Sequence, residues 1–125
     1  MNTLQQLTED IAGCVGVSTE GAGEYTVHFA DGSSRAVTVA EVLAATKSER
    51  IAAVNAECRS RLIARFGPAE EQVSRSIGAY GAVEQAALKL GVETTLDASN
   101  VASNAILAAA DLAAVEAVTV TWPVI

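Results

Sequence analysis

The sequence predicts an α+β fold: a small three-stranded antiparallel sheet with two or three long helices and a short N-terminal helix. Three observations predict it. Residues 24–39 alternate apolar and polar side chains around an Asp-Gly turn. Residues 40–115 carry apolar side chains at helical spacing, punctuated by glycines. Residues 117–122 return to strict alternation. The 125 residues fit one domain, read as a helix and hairpin (1–39), a helical region (40–115) and a C-terminal strand (116–125).

The N-terminal stretch 3–12, TLQQLTEDIA, places Leu4, Leu7 and Ile11 on one helical face. Residues 15–23 are rich in Gly, Ser and Thr and read as a loop. In the hairpin, Tyr25, Val27 and Phe29 fall on one face of a strand and Thr26 and His28 on the other. Asp31-Gly32 supplies the turn, because glycine accepts positive φ without steric cost. The return strand is predicted over Arg35–Val39.

Thr38 and Glu41 have capping-box spacing, so a helix is predicted from about Ala40 to Phe66, with Ile51, Val54, Cys58 and Leu62 as its stripe. Thr46 and Glu49 repeat the spacing and allow a break near Lys47. Gly67-Pro68 ends this helix and starts the next. The next runs from about Ala69 to Leu90 with Val73, Ile77, Tyr80 and Val83 as its stripe, and Gly91 closes it. Within it Gly78 and Gly81 each cost about 1 kcal/mol relative to Ala. That cost points to a close contact with a neighbouring helix, or to a kink. A third long helix is predicted from about Asp97 to Val115, with Val101, Ala105, Ala108, Leu112 and Val115 on one face. Finally Val118, Val120 and Trp122 alternate with Thr119 and Thr121, and Pro123 places this strand at an edge or an end. A lone hairpin is marginal in water. The terminal strand is the expected third member of the sheet, within the chain or across a subunit contact.

Half the residues are hydrophobic, but these are mostly Ala and Val, with two Phe, two Tyr and one Trp. Such side chains bury little area each, so the core is thin unless helices pack tightly or neighbouring chains add to it. The formal charge is −7, and residues 67–125 hold seven acidic side chains against two basic ones. A surface of that sign disfavours nucleic acid. The basic run Arg59, Arg61 and Arg65, near Glu57, reads as a solvated helix face. The start MNTLQQLTEDIAG lacks a secretory pattern, and no stretch has the unbroken apolar length of a membrane span. A chain made and soluble in the cytoplasm, with no membrane insertion, is the expectation.

Groups for catalysis are sparse. His28 is the single histidine and sits in a strand; Cys14 and Cys58 have no partner at metal-ligand spacing and read as free, small hydrophobes. Glu70 and Glu71 suit the first turn of a helix. Gly21-Ala22-Gly23 lacks the Lys-Ser/Thr of a phosphate loop. Asn100 and Asn104 share a helix face and suit either a helix interface or water. A non-enzymatic protein with no cofactor and no metal is expected. Its contact residues are expected at Gly78 and Gly81 on the helices and at Val118, Val120 and Trp122 on the last strand.

The segment Ala52–Phe66, AAVNAECRSRLIARF, contains Asn55-Ala56-Glu57 followed by Arg59, Arg61, Leu62 and Ile63. With the hairpin Tyr25–Val39 running into AEVLAA, it resembles a helix and its entry in small tailed-phage proteins, described as tail-fibre-associated or tail-assembly proteins. The resemblance covers roughly a third of the chain. It implies a virion component, made in the host cytoplasm and present as a homo-oligomer or in many copies, that binds other phage structural proteins in the tail tip, baseplate or tail-fibre region. A capsid decoration protein and a tail assembly chaperone are the alternatives. Copy number separates the first, and absence from the mature particle the second.

Overall fold

The computed structural model describes residues 3–21 and 24–125; Ala22, Gly23 and the side chain of Leu4 lie outside the described residues. In chain order the elements are α1 (Thr3–Asp10), β1 (Cys14–Gly21), β2 (Glu24–Phe29), β3 (Ser34–Ala36), α2 (Val39–Phe66), α3 (Ala69–Ser76), α4 (Ala82–Ala108) and α5 (Leu112–Ala117). The α+β class, the three-stranded antiparallel sheet and the short N-terminal helix agree with the sequence-based expectation. The identity of the third strand differs. The sheet order is β1-β2-β3, so the stretch read as a Gly/Ser/Thr loop supplies it, and residues 117–122 join no strand.

The described chain forms two compact units. The first is drawn from Met1–Arg50 and Ala109–Glu116, the second from Ile51–Ala108 and Ala117–Ile125.

In the first unit the alternation of β2 works as its period requires. Val27 is fully buried and Tyr25 and Phe29 are half-buried, while His28 faces out. Val27 stands opposite Val17 of β1 on one side and Arg35 of β3 on the other. Leu7, Ile11, Val27 and Ala45 form the core, with Cys14, Val17, Tyr25, Phe29 and Val37 packed around it. β1 shows irregular register beside Gly16 and again before Gly21, and Val15 is exposed. It therefore lacks clean alternation, and its ladder to β2 makes it a strand. At the hairpin turn Gly32 has φ +86°, and the Asp31 carboxylate accepts hydrogen bonds from the Ser33 amide and hydroxyl. Those bonds hold the Asp31 carboxyl below its ordinary pKa. The return strand is only Ser34–Ala36, shorter than expected, because the backbone turns into the capping box at Thr38.

That box forms in full. The Glu41 amide donates to Thr38 Oγ1 at 3.1 Å, and the Thr38 amide donates to Glu41 Oε1 at 3.0 Å. Arg35 closes on the same carboxylate with two bonds, of 2.7 and 2.9 Å. No break occurs at Lys47. Thr46 Oγ1 donates to the Val42 carbonyl one turn back instead of capping a new helix.

In the second unit, residues 51–66 of α2 lie antiparallel to α4. Asn55, Cys58 and Phe66 meet Ser99, Thr95 and Gly91 respectively. α4 is one helix from Ala82 to Ala108, so Gly91 does not end it and no helix begins at Asp97. It stops at Ala108, and the Asp111 carboxylate caps α5 by accepting from the Ala114 amide at 2.8 Å.

Candidate interaction surface

Small side chains allow the approach of α2 and α4 in the second unit. The buried face of α4 is Leu88, Gly91, Thr95, Ser99, Ala102 and Ile106, spaced three or four residues apart as a helix face requires. A Cβ built on Gly91 would lie 2.7 Å from two ring carbons of Phe66, so the missing side chain is the seat of that ring. Ser99 donates to Asn55 Oδ1 at 3.2 Å and satisfies a polar pair at the edge of the contact. Cys58, Leu62, Phe66 and Leu88 make an apolar cluster, and Trp122 and Ile125 from the last segment pack against it. The guanidinium of Arg61 lies 5.0 Å from the centre of the Trp122 ring.

The corner between α2, α3 and α4 is set by charge. Glu84 on α4 takes ion pairs from Arg65 on α2, at 3.5 Å, and from Arg75 on α3. Arg75 also donates to the Phe66 carbonyl at 3.0 Å, satisfying the end of α2. Gln85 donates to the Ser76 carbonyl at 2.8 Å and does the same for α3.

This corner presents apolar side chains outward. Val73, Ile77, Tyr80 and Val83, the stripe expected to pack, are all exposed, at 61, 75, 53 and 82%. Further along α4, Leu90 and Val101 are exposed too. Spacings of seven and eleven residues put Val83, Leu90 and Val101 on one face. Leu96 and Leu107, also exposed, share another. α4 thus exposes apolar side chains along two rows, with the polar row Glu93, Asp97, Asn100 and Asn104 between them, while a further face is covered by α2.

Gly78 and Gly81 do not seat a neighbouring helix of this chain. Both have positive φ, +85° and +94°, in the turn between α3 and α4. A Cβ at Gly81 would meet nothing within 4 Å, and one at Gly78 only Gln85. The predicted continuous helix 69–90 is broken there because two successive turns need a left-handed backbone. Val118, Val120 and Trp122 are half-buried and Thr119 and Thr121 exposed; the alternation is real, but no ladder accompanies it. Asn100 and Asn104 are exposed. Sequence reasoning took Gly91 for a helix end and not for the seat of a ring, and it missed the Asn55–Ser99 pair, because both depend on which helix packs alongside.

His28 shares a 2.9 Å hydrogen bond with Ser18 Oγ across the open face of β1 and β2. Both cysteines are free thiols, Cys58 buried and Cys14 half-buried. Among the described residues no cluster of His, Cys, Asp and Glu has metal-binding geometry, and no helix is long and apolar enough to cross a membrane. No family model matches the chain, and no curated protein or solved structure matches it.

Proposed function

We propose that this chain is a non-enzymatic structural component of a tailed-phage particle, in the tail tip, baseplate or tail-fibre region, acting through contacts with other particle proteins and with further copies of itself. The observation that carries the assembly reading is the outward apolar surface of α3 and α4. Large apolar side chains exposed side by side in this way mark contact with another protein. The particle assignment is supported by the resemblance of Ala52–Phe66. In that helix Glu57 pairs with Arg61 at 3.0 Å on the exposed side, and Asn55 accepts a hydrogen bond from Ser99 of α4.

Mass spectrometry of purified particles tests the assignment. The chain is expected as a stoichiometric virion component, incorporated after synthesis in the host cytoplasm. Its absence from particles would remove the reading. A copy number matching the capsid lattice would move it from tail to capsid.

A further inference from the structure

Within the second unit, two arginines of α2 stand beside the last segment of the chain. A cavity of about 460 Å³ opens between Arg61, Ala64 and Arg65 on one side and Trp122–Ile125 on the other. That volume is in the range of ligand clefts. The segment gives the cavity an apolar wall, in which Trp122 packs on the Cys58–Leu62–Phe66–Leu88 cluster and Val124 is fully exposed.

Both guanidinium groups are positioned by stacking and keep donors to spare. Arg61 lies 5.0 Å from the centre of the Trp122 ring, and Arg65 lies 4.6 Å from that of Phe66. Stacking uses the face of a guanidinium and leaves its five N–H groups for bonds in the plane. Arg61 directs Nε and Nη2 to a single oxygen of Glu57, at 3.2 and 3.0 Å. Arg65 reaches one oxygen of Glu84 only at 3.5 Å, while Arg75 holds the other oxygen more closely. These bonds use two N–H groups of Arg61 and one of Arg65. Three arginines thus share two carboxylates, and the group keeps one positive charge in a chain of net charge −7.

We propose that the cleft between Arg61, Arg65 and Trp122 binds an acidic peptide segment of a partner protein. A carboxylate of that segment takes the spare guanidinium N–H groups, and an apolar side chain beside it lies against Trp122 and Val124. Charge complementarity selects an anion, and the planar fork of arginine matches a carboxylate. The apolar wall selects an anion that carries an apolar neighbour, which inorganic phosphate lacks. The acidic surface of the whole chain disfavours a long polyanion such as nucleic acid. The cleft shares no residue with the exposed apolar rows of α3 and α4, and the proposal does not depend on the particle assignment.

The test uses the full chain. Trp122 is its single tryptophan, so intrinsic fluorescence reports the cleft directly. The probe is an acetylated peptide of alternating glutamate and leucine, compared with its lysine–leucine counterpart, inorganic phosphate and an oligothymidylate. A saturable change is expected with the acidic peptide alone, and it should weaken with added salt. Arg61→Gln and Arg65→Gln should each raise the dissociation constant roughly tenfold. Arg65→Lys should recover part of the loss, because the charge stays and the fork does not. Arg59→Gln, two residues before Arg61 and exposed on the other side of the helix, should leave binding unchanged. No saturable response to the acidic peptide would overturn the proposal. So would phosphate or oligothymidylate binding as tightly, or an Arg59→Gln loss equal to those at Arg61 and Arg65, which marks diffuse attraction. Should the glutamine variants fail to fold, the arginine Nε–H signals of the wild-type chain decide by NMR. Those of Arg61 and Arg65 should shift on adding the acidic peptide, and unshifted signals would overturn the site.

Discussion

The ring of Phe66 occupies the space where a side chain at residue 91 would begin: two of its carbons lie 2.7 Å from the Cβ position of Gly91. Phe66 is only 1% exposed, so the ring has little room to move. Adding a methyl group in a packed site of this kind costs about 1–3 kcal/mol. Gly91→Ala is therefore expected to lower the denaturation midpoint by that amount. Phe66→Leu shortens the intruding side chain, so the double variant should cost less than the sum of the two single changes. A double-mutant cycle by chemical denaturation measures the coupling.

At Gly78 and Gly81 the expectation is opposite in kind. Their space is open and their backbone is left-handed. An L-residue in that region costs about 1–2 kcal/mol, and Asn tolerates it better than Ala. Gly81→Ala should destabilise by about 1 kcal/mol, and Gly81→Asn by less, although Asn is larger. Thermal unfolding of the two variants checks the order. If bulk were what matters, Asn would be the worse of the two.

The capping box gives a pH dependence of definite sign. Hydrogen bonds from Arg35 first, and from the Thr38 backbone and hydroxyl groups beside it, lower the Glu41 pKa from 4.5 to about 2. Between those values the unfolded chain binds a proton that the folded chain does not, so stability rises with pH. This contribution is complete above about pH 4.5 and fades as the pH falls towards 2. Glu41→Gln should flatten that part of the stability profile. Thr38→Ala should cost about 1 kcal/mol at neutral pH. Urea denaturation as a function of pH reads both.

The two ion-pair systems of the second unit should differ in weight. Glu57 and Arg61 form an exposed i,i+4 pair, worth about 0.3–0.5 kcal/mol. Glu84 serves two arginines, and the Arg75 side chain is only 17% exposed. Glu84→Gln leaves Arg75 short of its charged partner and should cost about 1–3 kcal/mol. Parallel denaturation of Glu57→Gln and Glu84→Gln tests the ranking. Added salt should weaken the Glu57 pair more.

By itself the sequence determined the features that rest on near neighbours along the chain. The alternation of Tyr25–Phe29, the Asp31-Gly32 turn, the Thr38–Glu41 box and the α2 stripe through Val54, Cys58 and Leu62 all form as their spacing requires. Each is settled within a few residues by backbone geometry and side-chain period. The same rule covers the alternating burial of Val118, Val120 and Trp122. Tertiary structure decided which strand completes the sheet, because a ladder partner is a distant choice; β1 took the place that alternation assigned to the last segment. It also decided the roles of the glycines. Gly78, Gly81 and Gly91 look alike in the sequence, and all three lower helix propensity. Gly91 continues a helix because the Phe66 ring fills the space beside it, while Gly78 and Gly81 break one because the chain turns there with no neighbour to prevent it. The contact surface followed from the same turn. Val73, Ile77, Tyr80 and Val83 have the spacing of a buried face, and the break at Gly78–Gly81 leaves them pointing outward.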